Sequence, residues 1–523
     1  MRQPQARISR SRKSSMKHVT APVGGLNVRD SIADMPPEDA VILTNMFCLP
    51  NKVVLRKGHT SWATGMATQV EGIFDYNAYA VRKLFAATAT AIYDITATGA
   101  ATITTITGCT SGKWQHANFA TLGSQYLYLV NGVDPPALYN GTAWQLVTGL
   151  SVPIMISGVA TTSLIHVNEH GKRLFFVEAN TLTVWYLGAG AIGGAATAFN
   201  FTSLCVRGGH LIAMYSWTMD AGYGMDDHAV FVTSEGEVLV YRGIDPSAAA
   251  TWVLVGIYTI GRPLGRRCGL QFGSDLLIIG ERGLVQLSAA LLSSKLSNKS
   301  DISDKIQTAI TAAVTVYGGV FGWQCTLLAN ENLLLLNVPS SATASTQYVM
   351  NTQTGAWAYW TGINGNAWCE QAGTLYVGGL GIVYKAWNGT SDALAGSSTG
   401  QNINGEALQA FSYLGTSDLK ALQLARPVIA IDNPAIGILV GINLDFDQSP
   451  PSGLVSFPPS TAGIWDASLW DQATWGGDPA LSQNWQSVGG VGYAAAMHIK
   501  VATKSAQFAW FATDYVFSRG VGI

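Results

Sequence analysis

A short apolar strand, a tight turn and a second strand bearing an aromatic recur along this chain. The unit is found at residues 83–95, 125–144, 172–188, 228–243, 274–288, 331–362 and 374–389. The spacing, roughly 40 to 60 residues, is that of propeller blades and exceeds that of helical solenoids. Hairpin chemistry fills the turns: Ser-Glu-Gly-Glu, Gly-Glu-Arg-Gly, Thr-Gly-Ala-Trp and Gly-Gly-Leu-Gly. Near-continuous apolar strands such as 333–336 point to burial on both faces, as in stacked sheets. An open row of such sheets would leave two unpaired edges, and closing the circle removes them. The pattern therefore predicts an all-β chain whose main part, residues 21–404, is a β-propeller of about six to eight blades. The strand around Val53 is expected to complete the last blade near Val383.

One helix interrupts the repeats. Ile302, Ile306, Ile310 and Ala313 fall at helical spacing, predicting an amphipathic insert over 302–316. Ser300 or Ser303 is expected to cap it and Gly318-Gly319 to end it. Residues 1–20 read as a flexible basic tail, with no periodicity and no apolar core of a secretory signal. From Gly405 the texture changes to strand-like runs, a Pro/Ser linker and a Trp-rich stretch. Residues 405–523 are therefore expected to form a separate β-sandwich-like domain.

Composition narrows the function. Charged residues are only 12% of the 523, about half the usual fraction. Such a surface suits a subunit largely covered by neighbours. The net charge of −2 excludes a general polyanion binder. No stretch reads as a transmembrane helix: the uncharged run 185–206 is broken by glycines and polar residues. The six cysteines form no C-x-x-C pair and read as reduced, buried thiols, so neither zinc nor a disulfide frame is expected.

Reactive constellations were sought and weighed against plainer readings. Asp220, Asp226 and Asp227 crowd one Gly-rich turn, but DAGYGMDD lacks the spacing of a calcium loop, and capping of backbone N–H groups is expected. His166 and His170 flank a glutamate outside any H-E-x-x-H helix, so no metal site is assigned. Sialidase-like Asp boxes and Walker loops are missing. No catalytic residue and no cofactor is expected, and the chain reads as a non-enzyme. Arg2, Arg7, Arg10, Arg12, Lys13 and Lys17 are assigned to a partner contact, an acidic neighbouring protein in preference to DNA phosphates. Trp465, Trp470, Trp475 and Trp485 are expected to pack in a core or interface, with stacking on sugar rings as the alternative.

Four segments taken in order resemble one family. They are GLNVRDSIADMPPEDAVILTNMFCLPNKVVLRKG (25–58), GGHLIAMYSWTMDAGYGMDDHAVFVTSEGEVLVYRG (208–243), the helix followed by ENLLLLNVP and YVMNTQTGAWAYW, and the Trp-rich tail. In order and texture they are similar to the β-propeller hub or nozzle proteins of short-tailed bacteriophages, including the packaged-DNA stabilisation proteins of enteric podoviruses. The resemblance implies a virion tail protein, assembled in the host bacterial cytoplasm. It would form a homohexameric ring below the portal and its adaptor, or head-to-tail connector. Such a ring extends and gates the DNA channel, retains packaged DNA and docks tail fibres or spikes. Duplex DNA would pass through its lumen without sequence-specific binding. The competing readings are a host-glycan-binding attachment module and a propeller-type polysaccharide hydrolase or lyase.

Overall fold

The uninterrupted apolar runs 174–177, 276–279 and 333–336 are buried along their whole length. Each is the second strand of an antiparallel hairpin, covered by sheet on both faces. Seven such sheets follow one another along the chain in the computed structural model, which describes residues 14–79, 81–220, 225–292, 301–394, 399–432, 437–455, 481–482 and 484–520. The chain divides into two units. One comprises Lys57–Val349 and Trp360–Gly400; the other comprises Met1–Arg56, Met350–Tyr359 and Gln401–Ile523.

The first unit is a seven-bladed β-propeller. Blade 1 is built from Gly72–Asn77, Arg82–Ala87, Ala91–Asp94 and Thr102–Thr107, joined as sequential antiparallel neighbours. Blades 2, 3 and 4 repeat that order, beginning with Gln115–Ala120, Leu164–His170 and Leu211–Asp220. Blade 5 has three described strands from Gly269–Phe272 onward, with the short helix Leu287–Leu292 following the third. Blade 6 begins with Gln324–Leu328, and blade 7 with Ala367–Gln371. The first strand of each blade touches the inner strands of the blades beside it, and Ala367–Gln371 touches Gly72–Asn77, so the circle closes.

Apolar clusters fill the gaps between blades. Phe85 of blade 1 meets Tyr139 and Trp144 of blade 2 edge-on, with ring centroids 5.0 and 4.9 Å away. Between blades 3 and 4, Phe175, Phe231, Tyr241 and Trp252 share one core. Tyr139, Trp144 and Tyr241 are among the aromatics that marked the second strand of their repeats; Phe85, Phe175 and Phe231 come from the first strands and Trp252 from outside the repeats, and edge-on pairing suits their quadrupoles.

Closure uses a strand other than the expected one. His59–Gln69 pairs antiparallel with Leu380–Ala386, setting Ala63 opposite Val383. Val53 instead sits opposite Cys48 and Trp510 in the other unit. The buried His59 side chain meets Asp392 at 3.1 Å and fixes the start of the closing strand. Gly58 is obligatory there, because a Cβ would lie 1.9 Å from the Ser391 carbonyl oxygen.

The helical insert is a 3-10 turn, Asp304–Ile306, continuing into Gln307–Tyr317. Ile306 and Ile310 are buried, as the spacing predicts. The expected serine cap does not form. Ser303 is buried and accepts a hydrogen bond from the Leu284 amide at 3.0 Å, tying the insert to blade 5; Ser300 lies outside the described residues.

The second unit is a β-sandwich, and its boundary differs from the expected Gly405. One sheet runs Met46–Leu49, Lys52–Leu55, Phe508–Arg519, Lys420–Ile431. The other runs Asp39–Thr44, Ile403–Gln409, Ala495–Thr503, Ile438–Leu444. Residues 21–55 thus supply sandwich strands and are no part of the ring. At Gly405 the sheets pack so closely that a Cβ would stand 2.5 Å from Leu55 Cδ1 and 2.9 Å from Met46 Cε. The start of the chain is also more ordered than composition implies: Ser14–Thr20 is a strand along Phe508–Arg519, with Lys17 opposite Tyr515.

His18 and Arg426 converge on Asp514, at 2.7 and 2.6 Å. Burial alone would raise Asp514, but the hydrogen bonds and charges of Arg426 and His18 outweigh it and hold the carboxyl below its ordinary 3.8. A depressed folded-state value contributes stability above the unfolded value that is lost as pH falls through the folded one. Arg426→Met is therefore expected to cost about 2 kcal/mol at pH 7. The difference from the parent should shrink below about pH 4 in urea melts run as a pH series; a difference independent of pH would contradict the pairing.

Candidate functional site

The seven inner strands enclose an axial cavity of about 360 Å³. Because side chains alternate along a strand, every second residue of an inner strand faces the axis. Asp75, Gln115, His116, His166, Asn168, Tyr215, Thr326 and Glu370 line it, and they come from six blades. Polar side chains on the innermost strands explain why several of these strands read weakly as apolar repeats.

The chemistry of this wall is subdued. Asp75 lies 3.3 Å from His116. Burial pushes its carboxyl upward, but the His116 hydrogen bond and charge prevail and hold it below 3.8. His166 is fully enclosed, and burial pulls it down to about 3, so it is neutral near pH 7. The Cys325 and Cys268 thiols are pushed up to about 12 by burial, and Cys369 and the Tyr215 phenol are raised well above their ordinary values for the same reason. Thiols raised in this way are held in the protonated form near pH 7, where the thiolate is the nucleophile. The Asp75–His116 pair joins blades 1 and 2 across the wall.

One end of the axis is closed by the loop leading into blade 5. Arg267 Nη2 donates to the carbonyls of Glu71 and Trp114 at 2.8 and 3.0 Å, while Nη1 reaches Gln324 Oε1 and the Asn366 carbonyl at 3.5 Å. These four acceptors stand at the entries to blades 1, 2, 6 and 7. Arg266 Nη1 donates to the Asn131 carbonyl of blade 2 at 2.8 Å. Two adjacent arginines therefore span the ring from blade 5 to the opposite side. Burial lowers Arg267 to about 10, leaving it charged at neutral pH. Phe321 lies beneath the closure, 4.8 Å from the Arg267 guanidinium and 5.1 Å from Lys113 Nζ, in cation–π contact with both. Sequence reasoning passed over these arginines. The available signal was their adjacency in a Gly-rich inter-strand segment, GRPLGRRCG, of a sparsely charged chain.

The residues singled out from sequence do not gather here. Arg2, Arg7, Arg10, Arg12 and Lys13, with Trp465, Trp470 and Trp475, lie outside the described residues. Lys17 is exposed on its strand. Trp485 stacks against the Arg426 guanidinium at 4.8 Å, a packing contact next to the Asp514 pair. The acids of the blade 4 hairpin are separated: Asp227 accepts from Thr218 Oγ1, Glu235 pairs with Arg262, and buried Glu237 accepts the Val206 and Arg207 amides. His170 bridges Ser216 and the Gly243 carbonyl. Among the described residues no three His, Cys, Asp or Glu side chains are arranged to hold a metal ion, and no helix is long and apolar enough to cross a membrane.

No protein-family model matches the chain, and no curated protein matches it. Among solved structures it is similar to the β-propeller domain of Myceliophteria thermophila Cps50 (Swd1), at 10% identity over 62% of this chain and 98% of that one, with a TM-score of 0.39. It is also similar to YCF48 bound to D1 peptide, at 10% identity over 70% of this chain and 98% of that one, with a TM-score of 0.32. A third is BBS1N in complex with ARL6DN, at 9% identity over 63% and 96%, with a TM-score of 0.39. Likeness at this level says nothing of activity.

Proposed function

We propose that this chain is a structural subunit of a short-tailed bacteriophage tail, forming the nozzle or hub ring below the portal and its adaptor. The observation that carries the proposal is the order of four segments: the entry over 25–58, the block over 208–243, the helix with its following strands, and the Trp-rich tail. Two physical features support it. The low charged fraction, 12%, suits a subunit covered by its neighbours. The axial wall is devoted to hydrogen bonds between blades, with its thiols and His166 neutral, as suits a scaffold.

The axial cavity bears on where DNA would travel. A cavity of about 360 Å³ crossed by Arg267 has no room for a duplex whose major groove alone is about 12 Å wide. In this reading DNA passes through the opening enclosed by several subunits, not along the axis of one propeller. Fibres or spikes and the connector then bind the outer surfaces of the assembled ring.

Mass photometry and electron microscopy of the purified chain, alone and mixed with its connector ring, test the proposal. A six-fold ring, formed alone or on the connector, is the expected outcome. A protein that stays monomeric and never joins the connector would sink it.

A further inference from the structure

Strands within a blade alternate in direction, so the loops entering each inner strand open on the same face as the turns between second and third strands. Lys113, Arg266 and Phe321 all belong to entry loops, and Asn131 and Val133 to such a turn of blade 2. Together they line a recess of about 310 Å³ at the closed end of the axis. Its uncharged walls are mostly apolar residues and glycines, among them Val133, Leu264, Phe321, Gly318 and Gly319, with Ser111 and Asn131 as the polar exceptions. Its charged lining residues are Lys113, Arg266 and Arg267, all cationic.

None of the three has a carboxylate partner. That holds among the described residues, whose ion pairs include those of Lys57, Arg173 and Arg262 but none of these three. The nearest acids are engaged elsewhere. Asp134 accepts from Asn131 in its own turn and from Thr110 in the loop entering blade 2, and Glu71 accepts the Gly112 amide while attracting Arg267 through charge alone. Arg267 commits Nη2 to two carbonyls, but its Nη1 contacts are only 3.5 Å. Arg266 uses one donor on Asn131. Lys113 is held over the Phe321 ring. Arg266 and Arg267 are half-buried, where a cation without a counter-charge is costly; Lys113 is exposed at the rim, and each of the three retains donor capacity toward the recess.

We propose that this recess is a binding site for a small oxyanion, a carboxylate or phosphate group held among Lys113, Arg266 and Arg267. Two planar guanidinium forks and one ammonium match the geometry and charge of such a group. The glycines at 265, 318, 319 and 322 let it approach the backbone without meeting side chains. The proposal is independent of the tail assignment: it rests on one propeller alone.

Two sources can supply the group, a free anion or an acidic side chain of a neighbouring protein. Calorimetry on the full chain at fixed ionic strength would use inorganic phosphate in one arm and a short Glu-rich peptide in the other. Arg267 is left in place, because its loss opens the axis. Lys113→Met and Arg266→Gln, each confirmed folded by a cooperative melting transition well above the assay temperature, should weaken binding about tenfold. Arg262→Gln, outside the recess, should leave binding unchanged. Binding of phosphate with the peptide silent assigns a free anion; peptide binding displaced by phosphate assigns a partner's carboxylate. The inference is overturned if neither probe binds at millimolar concentration, or if binding is equal in all three variants and the parent.

Discussion

Arg267→Met should destabilise the propeller by about 3 kcal/mol, the largest effect expected from any single surface-loop substitution in the ring. The substitution removes donors from the Glu71 and Trp114 carbonyls, which stand at the entries to blades 1 and 2. A buried acceptor left without a donor costs about 1–3 kcal/mol, and two are affected. Arg267→Lys should recover only part of the loss, since an ammonium cannot present the same planar fork to acceptors at the entries of four blades. Arg262→Met is the control. Its partner Glu235 is a surface pair with the arginine side chain 62% exposed, for which about 0.5 kcal/mol or less is expected. Urea denaturation of the three variants decides the matter. If Arg267→Met falls no further than Arg262→Met, the arginines do not hold the ring shut.

The second large effect concerns where the chain can be cut. Residues 405–523 expressed alone should not fold. The sandwich needs Asp39–Thr44 beside Ile403–Gln409, and Lys52–Leu55 beside Phe508–Arg519. Without residues 14–56 both sheets lose strands, and the apolar faces of Ala407, Trp510 and Tyr515 are uncovered. The expected product is aggregated, or shows no cooperative melting. Fusing residues 14–56 to 401–523 through a short glycine-serine linker should restore a cooperative transition. The ends are near, since Asn45 Nδ2 donates to the Asn404 carbonyl at 2.9 Å and the Arg56 amide to the Asn45 carbonyl at 2.9 Å. A well-folded 405–523 fragment would refute the shared sandwich. Glycan-binding assays on the Trp-rich region accordingly call for the whole chain.

The contrast between these two results and the sequence reading has a physical origin. Seven repeats were legible because the second and third strands of each blade are sandwiched between neighbours, and burial on both faces writes an uninterrupted apolar run such as 333–336. Inner strands were harder to see. Gln115–Ala120 and Gln324–Leu328 set polar side chains toward the axis, so their pattern is mixed. The closing strand, HTSWATGMATQ, has only three buried positions in eleven, and the more strand-like KVVL ahead of it drew the assignment instead. The domain boundary was invisible to any local pattern, because Ala40 pairs with Gln409 and Ser14 with Ser518. Arg267 was unreadable for a related reason: its acceptors are backbone carbonyls, which every sequence contains.

The late partner of the closing strand also sets a timetable for synthesis. His59–Gln69 leaves the ribosome long before Leu380–Ala386 exists to receive it. At about 5–20 residues per second the wait is roughly 15 to 60 seconds. Throughout that interval the edge that will receive Leu380–Ala386 has unpaired backbone, while the other edge meets only the short strand Gly99–Ala100; an open edge is the condition under which apolar strands associate wrongly. A sequence of threonine, serine, glycine and glutamine at its exposed positions is the kind that stays dissolved while six blades are made. The composition that hides this strand from pattern recognition is thus what keeps it available, and nascent chains stalled before residue 380 should hold it accessible to protease until the last blade emerges.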